Sequence, residues 1–435
     1  MKKYFIITHG CQMNEHDSER IAGILESRGY LEADSLEDAD FVLFNTCLVR
    51  ENAELKVFGQ VGALKKWKEE NPEKILAVSG CMMQTGPAKD TIKEKFPQVD
   101  LVFGTANINK LPILLDRLKQ GERVFDTDTY DVGDKKDSKF TRRNGYSAYV
   151  NIMTGCNNFC SYCIVPYARG REASRKPEEV YNEVVGLAEE GFKEIMLLGQ
   201  NVNSYGAGFG YDFPSLLRRL CRVEGIERIR FMSSHPKDLS DDLIRVIAEE
   251  PKIERHFHLP LQSGSDKVLR EMSRKYDTEK FRTLVKKLRS AIPSISITTD
   301  IIVGFPGESE EDHLKSLEFY KEMAFDNAFT FIYSPRPGTK AASRSDQVDK
   351  DTKSRRYQEL TDVLYPIFNR KNKEMLGKTA DVLFESISKN DPEKISGRDS
   401  GYRLIHVKGN PDLIGQIRKV KIVDSNSFAL IGELV

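Results

Sequence analysis

Cys156, Cys160 and Cys163 fall within eight residues, in the run Gly155-Cys156-Asn157-Asn158-Phe159-Cys160-Ser161-Tyr162-Cys163. The apolar alternation of Tyr149-Val150-Asn151-Ile152-Met153 places a strand directly before it. A strand followed by three thiols at Cys-x3-Cys-x2-Cys spacing has to turn and wrap around one centre. A closed four-iron cubane takes four cysteine thiolates, so three would hold such a cluster and leave one iron open to a small molecule. The competing reading is a structural zinc knuckle, which pairs two such cysteines with a second pair of Cys or His. No such pair follows, and the nearest downstream histidine is His235. The ligand count favours the open cluster.

Upstream, short apolar runs alternate with amphipathic ones. Strands are expected over 4–8, 41–45, 75–79, 100–103 and 123–126, and helices over 15–28, 53–68, 88–95 and 110–119. Runs this short and this apolar suit a parallel sheet buried on both faces. Cys11 lies just past the first strand, Cys47 ends the second and Cys81 ends the third. Ligands of open α/β sheets collect outside the carboxyl ends of the strands. Three successive strand-end cysteines therefore predict a second three-thiolate cluster, against the alternative of three unrelated buried thiols. Gly10 and Gly80 beside them give the backbone room to turn. Cys221, in helix-like Leu216-Leu217-Arg218-Arg219-Leu220-Cys221, is assigned to packing.

The charged stretch Asp134-Lys135-Lys136-Asp137-Ser138-Lys139, with Arg142-Arg143, reads as a solvated linker. After it six strand–helix units can be traced, with strands at 148–153, 194–199, 229–233, 256–260, 296–303 and 328–333. Such alternation predicts a partial (β/α)6 barrel with its chemistry on the loops after the strands. Tyr162 in the cysteine loop, Gln200 and Asn201 after the second strand, Ser233 after the third, Gln262 and Ser263 after the fourth and Gly304 after the fifth all share that address. They are candidates for binding a nucleoside or amino-acid moiety. His256 and His258 alternate on one strand without a third ligand and read as structural.

Lys plus Arg number 66 and Asp plus Glu 66, so no bulk charge draws the chain to nucleic acid, and local patches must do so. The apolar stretch after Met1-Lys2-Lys3 is interrupted at His9, short of a secretion signal, and no run approaches a membrane span. A cytoplasmic protein without membrane association is expected. In that reducing setting seven cysteines serve as ligands, catalytic groups or buried thiols.

Beyond the spacing, three segments are distinctive: Gly10-Cys11-Gln12-Met13-Asn14 with Asp17-Ser18-Glu19, Asn45-Thr46-Cys47-Leu48-Val49-Arg50-Glu51-Asn52-Ala53, and Cys163-Ile164-Val165-Pro166-Tyr167-Ala168-Arg169-Gly170-Arg171-Glu172. With Leu198-Gly199-Gln200-Asn201-Val202-Asn203-Ser204-Tyr205, they make nearly the whole chain resemble the radical S-adenosylmethionine (SAM) methylthiotransferases, in the branch acting on tRNA. That branch converts N6-(dimethylallyl)adenosine at position 37 to its 2-methylthio derivative. Sister branches act on threonylcarbamoyl-adenosine in tRNA or on an aspartate of a ribosomal protein, and Gln12-Met13-Asn14 and Arg50-Glu51-Asn52 favour the dimethylallyl branch.

The resemblance implies two 4Fe-4S clusters. Cys156, Cys160 and Cys163 would hold the one whose open iron chelates SAM, which is cleaved to methionine and a 5′-deoxyadenosyl radical. Cys11, Cys47 and Cys81 would hold an auxiliary cluster carrying the sulfur, with a second SAM supplying the methyl group. Tyr162, Gln200, Asn201, Ser233, Gln262, Ser263 and Gly304 become candidate SAM contacts. The hydrogen on adenine C2 is unactivated, so a cofactor has to carry the hard step, and no side-chain general acid or base is assigned. A flavodoxin- or ferredoxin-like electron donor and a protein supplying iron–sulfur units or sulfur are implied as partners, with the enzyme a monomer. The rival class is a non-catalytic, zinc-stabilised RNA-binding protein.

The expected domains are 1–126 for the auxiliary cluster, a linker at 127–144, the radical SAM domain at 145–372 and a small all-β domain at 373–435. The last resembles the RNA-binding TRAM barrel, with strands expected at 380–385, 403–407, 415–423 and 427–434. From Lys373 onward there are ten Lys or Arg and nine Asp or Glu. Binding by counterion release therefore requires Arg398, Arg403, Lys408, Arg418, Lys419 and Lys421 to share a face. Side chains alternate along a strand, so bringing Arg418, Lys419 and Lys421 together requires a loop or bulge, or help from other domains.

Overall fold

The computed structural model describes residues 1–48, 51–84, 87–127 and 140–435. The charged stretch 134–139, together with Val49 and Arg50, lies outside the described residues, as do the side chains of Glu51, Asn52 and Ala53.

The first domain is a six-stranded, wholly parallel sheet, built from β1 (Lys3–His9), β2 (Leu31–Glu32), β3 (Phe41–Thr46), β4 (Ile75–Gly80), β5 (Leu101–Phe103) and β6 (Val124–Asp126). Its order is β2-β1-β3-β4-β5-β6. Alternate residues of β3 enter opposite cores. Phe41 and Leu43 pack with Tyr4, Leu101 and Leu111, whereas Val42 and Phe44 pack with Val57, Leu76 and Ile92. Burial on both faces explains the unbroken apolar run. The expected sheet is present, with β2 added as a two-residue edge strand too polar to stand out. The expected helix over 53–68 is two, Glu51–Ala63 and Lys65–Glu70.

Six further parallel strands form two triplets, β11-β10-β7 and β12-β13-β14. Their ranges are β7 (Ser147–Asn151), β10 (Glu194–Leu198), β11 (Arg228–Phe231), β12 (His256–His258), β13 (Ser296–Val303) and β14 (Asn327–Ile332). A bridge between Ile229 and Ile253 joins the triplets, and β7 and β14 end the order, giving the expected open barrel. A short antiparallel pair, β8 (Met153–Thr154) with β9 (Ala173–Ser174), brackets the cysteine loop. Cys221 is buried in the main core around this barrel.

The last domain is a closed barrel in the order β15-β16-β17-β19-β18. Its strands are β15 (Thr379–Ser388), β16 (Asp391–Arg398), β17 (Leu404–Lys408), β18 (Ile417–Ser425) and β19 (Leu430–Leu434). Strand β16 was not expected. Its first half, Asp391-Pro392-Glu393-Lys394, faces away from the core, and only Ile395 enters the apolar cluster.

The domains interlock through buried charge. Arg142 does not behave as a solvated linker residue. It donates to Glu19 at 3.0 Å and to Glu183 at 3.0 Å, binding the first domain to the open barrel. At the amino-terminal end of the open barrel, Arg228 donates to the carbonyls of Asp381 and Arg398, and Arg230 to that of Asp399. Arg230 also pairs with Glu194 at 2.7 Å and Glu254 at 2.9 Å, satisfying a charge that burial alone would penalise. Tyr402 stacks on His256 there, with ring centroids 5.0 Å apart. Among the described residues no helix is long and apolar enough to cross a membrane.

Candidate active site

The cysteine loop leaves β8 through Gly155, whose φ of +75° is accessible to glycine. A Cβ at that position would also collide with the carbonyl of Arg171. The loop is pinned by the Ser161 amide to the Met272 carbonyl at 3.0 Å, by the Ser161 hydroxyl to the Glu271 carbonyl at 2.8 Å, and by the Ala341 amide to the Ser161 carbonyl at 2.9 Å. Cys156 and Cys160 are buried and Cys163 is half-buried. Burial pushes the Cys163 thiol up to about 12, with Cys160 and Cys156 adding to the shift, and burial also raises Cys156. These thiols hold their protons until a metal displaces them.

Arg274 carries the most telling electrostatics of this loop. Its guanidinium donates to Cys160 Sγ at 3.3 Å, Tyr162 Oη at 3.4 Å, Tyr276 Oη at 2.9 Å and the Pro260 carbonyl at 2.9 Å. Burial works against its charge, yet Tyr162, Tyr276 and Cys160 hold it protonated. Among the described residues no carboxylate pairs with it. A buried cation without a carboxylate beside a cysteine matches an anionic thiolate cluster.

The other three cysteines converge as strand order dictates. The register sets His9 opposite Thr46 and Thr46 opposite Gly80, so the chain segments holding Cys11, Cys47 and Cys81 leave adjacent strands at one edge. Asn14 and Asn45 lock the edge. Asn14 Nδ2 donates to Asn45 Oδ1 at 3.2 Å, and Asn45 Nδ2 donates to the Asn14 carbonyl at 2.8 Å. Gly80 has φ +104°, and a Cβ there would strike the Thr46 backbone. Burial raises the Cys81 thiol to about 11. Arg169 opposes the shift, whereas Cys47, Asp17 and Cys11 reinforce it, so the three thiols share one electrostatic environment. Among the described residues no three Cys, His, Asp or Glu side chains stand close enough to share a single metal ion.

The candidate SAM contacts divide into two groups. Gln200 Oε1, Asn201 Oδ1 and Gln262 Oε1 are buried without a hydrogen-bond partner, as are Ser234 Oγ and both polar atoms of Asn203. Such orphaned atoms at successive strand ends fit a polar ligand. Ser233 at φ +64° and Gln262 at φ +76° hold backbone conformations that are unusual without glycine, placed where a site is expected. The remaining candidates are engaged elsewhere. Ser263 Oγ meets Ser316 Oγ at 3.3 Å, and Gly304 packs on Lys353 while its amide donates to Glu308. Tyr162 packs against an apolar cluster containing Val268, Met272, Phe305 and Tyr333, besides contacting Arg274. His256 and His258 share the Thr298 hydroxyl at 2.8 and 3.0 Å, in keeping with a structural role.

The six basic residues of the last domain do not form one face. Arg403 turns inward to Asp399 at 3.1 Å and Asp326 at 3.3 Å, and Arg398 stacks on Tyr402. Lys419 and Lys421 share the outward face of β18, alternating with buried Val420 and Ile422. The bulge lies between Ile422 and Asp424, beyond the basic run, so it does not align Arg418 with them.

Three family models match the chain: the Radical SAM superfamily over residues 150–320, the uncharacterized protein family UPF0004 over 3–104, and the TRAM domain over 373–435. A protein named tRNA-2-methylthio-N(6)-dimethylallyladenosine synthase from Finegoldia magna is 54% identical, covering 99% of this chain and 94% of its own length. Proteins of the same name from Clostridium novyi (50% identical; 100% and 97% covered) and Thermoanaerobacter pseudethanolicus (51%; 99% and 92%) match equally widely. Among solved structures, the radical S-adenosylmethionine methyltransferase TsrM from Kitasatospora setae, with cobalamin and a 4Fe-4S cluster bound, superposes with a TM-score of 0.57. It is 14% identical and covers 79% of this chain and 77% of its own, a likeness of fold alone.

Proposed function

From the premise that this chain belongs to the family of tRNA-2-methylthio-N(6)-dimethylallyladenosine synthases within the radical SAM superfamily, we propose that it works with two four-iron clusters, each held by three of its cysteines. Cys156, Cys160 and Cys163 hold one, and Cys11, Cys47 and Cys81 hold the other. The substrate is tRNA carrying dimethylallyl-adenosine at position 37, and the product is its 2-methylthio derivative. When bound, the clusters and SAM supply the one-electron chemistry, the sulfur and the methyl group that an unactivated adenine C2–H requires.

The chain's own residues bind, orient and exclude water. Arg274 lends positive charge to the site around Cys160, and its bond to the Pro260 carbonyl ties that site to the end of β12. Gln200, Asn201, Ser233 and Gln262 offer polar contacts to SAM from the loops after β10, β11 and β12, with Tyr162 as an apolar wall. Ser263, bonded to Ser316, and Gly304, bonded through its amide to Glu308, complete the candidate contacts from the loops after β12 and β13. The carrying observation is that Arg169, in the same motif as Cys163, reaches across the domain junction to Cys81.

Functional units at 1–126, 145–372 and 373–435, joined by a linker at 127–144, agree with where the sheet, the open barrel and the closed barrel fall. A flavodoxin- or ferredoxin-like donor, a sulfur-supplying protein and a monomeric enzyme in the cytoplasm complete the reading. Anaerobically reconstituted protein should bind about eight irons per chain. Given SAM, reductant and sulfide, it should convert dimethylallyl-tRNA to the methylthio nucleoside, read by mass spectrometry. Reaction only with threonylcarbamoyl-tRNA or a ribosomal protein would overturn the substrate, and bound zinc without sulfide would overturn the chemistry.

A further inference from the structure

Arg169 ends the short helix Val165–Arg169, which begins two residues after Cys163. Its guanidinium leaves the open barrel and enters the first domain. Nε lies 3.1 Å from Cys81 Sγ, and Nη2 lies 2.7 Å from Asp17 Oδ2. Asp17 belongs to the helix Gln12–Ser27, which Cys11 directly precedes. Both side chains of the pair are less than a tenth exposed. Burial opposes the charge of Arg169, but Asp17 and the thiols of Cys81 and Cys11 more than offset it. One residue further on, the Gly170 carbonyl accepts the amide of Cys156 at 3.2 Å. A single turn of chain thus ties the start of one cysteine loop to a thiol of the other site.

We propose that Arg169 is a positioning residue that sets the reduction potential of the auxiliary cluster and fixes that cluster's placement relative to the first. The proposal rests on the reading that Cys11, Cys47 and Cys81 hold a cluster. Reduction adds negative charge to such a cluster, and hydrogen bonds to its sulfurs tune the potential. An N–H donor carrying full positive charge on Cys81 favours the reduced form and raises the potential. Asp17, on the same guanidinium, tempers that effect while it fixes the fork's direction.

The opposite charges of the pair give a test that a purely structural role would not pass. In the full chain with Cys156, Cys160 and Cys163 replaced by alanine, only the auxiliary cluster remains to be loaded. Its midpoint potential is then followed by redox titration with electron paramagnetic resonance. Arg169→Gln should move the potential to more negative values, Arg169→Lys should move it less, and Asp17→Asn should move it to more positive values. Iron analysis accompanies each titration, with about four irons per chain expected. If Arg169→Gln prevents loading, Arg169→Lys and Asp17→Asn still decide the sign. Loaded variants with unchanged potentials, or with shifts of one sign for both partners, overturn the proposal and leave the two-cluster reading standing. Absence of iron from the triple-alanine protein overturns both.

Discussion

The two cysteine sites reach the same thiol count by opposite routes. One is local: a single loop bracketed by β8 and β9 delivers Cys156, Cys160 and Cys163 within eight residues. The other is topological: Cys11, Cys47 and Cys81 are spread over 71 residues and meet because β1, β3 and β4 are neighbours in one parallel sheet. Their charge balance differs as well. Among the described residues each site has one buried guanidinium on a thiol, yet Arg169 is matched by Asp17, whereas Arg274 meets hydroxyls, a carbonyl and a thiol. The local site therefore has an excess positive charge that an anionic cluster would balance. At the dispersed site the one described guanidinium is paired with a carboxylate before anything binds.

The largest expected effect would break the comparison outright if it failed. Cys160→Ala and Cys47→Ala should each abolish methylthiolation and each lower iron from about eight to about four per chain, showing two independent centres. Loss of all iron from either variant would mean one centre. The second test separates the guanidinia in metal-free protein by urea unfolding. Arg169→Met strands the buried Asp17 carboxylate and should cost about 3–5 kcal/mol, as removal of one partner of a buried pair does. Arg274→Met strands no charge: the Tyr276 hydroxyl still serves the carbonyls of Pro260 and Leu261, and the neutral Tyr162 hydroxyl and Cys160 thiol lose a donor. Replacing that charge by an apolar side chain of similar volume should therefore cost the metal-free protein less than Arg169→Met does. With iron bound the order should reverse for Arg274→Met, seen as faster loss of iron to a chelator. Equal destabilisation of both metal-free variants would remove the distinction.

The same contrast explains what could be read from sequence. Local spacing made the cysteine loop legible, and the strand-end positions of Cys11, Cys47 and Cys81 were legible once apolar runs marked the strands. Arg169 stood in a recognised segment, but nothing in residue order says that it turns toward Asp17, 152 residues earlier. Arg274 had no sequence signal. It is held between Ser273 and Lys275, both at positive φ, and meets Cys160, 114 residues earlier, only once the open barrel has folded. Arg142 looked like a solvated linker residue because its partners Glu19 and Glu183 lie in two different domains. Strand β16 was missed because half of it faces water, leaving no alternation to detect.

The smallest effect concerns His235, which lies next to Arg274's site and reports on its unbalanced charge. The imidazole is buried, stands edge-on to Tyr276, and accepts the Lys237 amide at Nδ1. Burial lowers its pKa from 6.5 to about 2, and Arg274, Lys237, Lys275 and Lys280 push the same way. In the folded protein it therefore stays neutral while the unfolded chain takes up a proton below about pH 6.5. Since the unfolded state then binds more protons, stability is fully present above that pH and falls as the pH drops toward about 2. His235→Gln should flatten this decline in urea unfolding of metal-free protein between pH 7 and 5, with little change at pH 8. Arg274→Met removes the largest of the charges acting on the imidazole, but burial is the larger cause, so the decline between pH 7 and 5 should keep its slope and level off at a higher pH than in the unsubstituted protein. If Arg274→Met left that levelling-off pH unmoved, the guanidinium's charge would already be compensated without a cluster, and the asymmetry between the two sites would disappear.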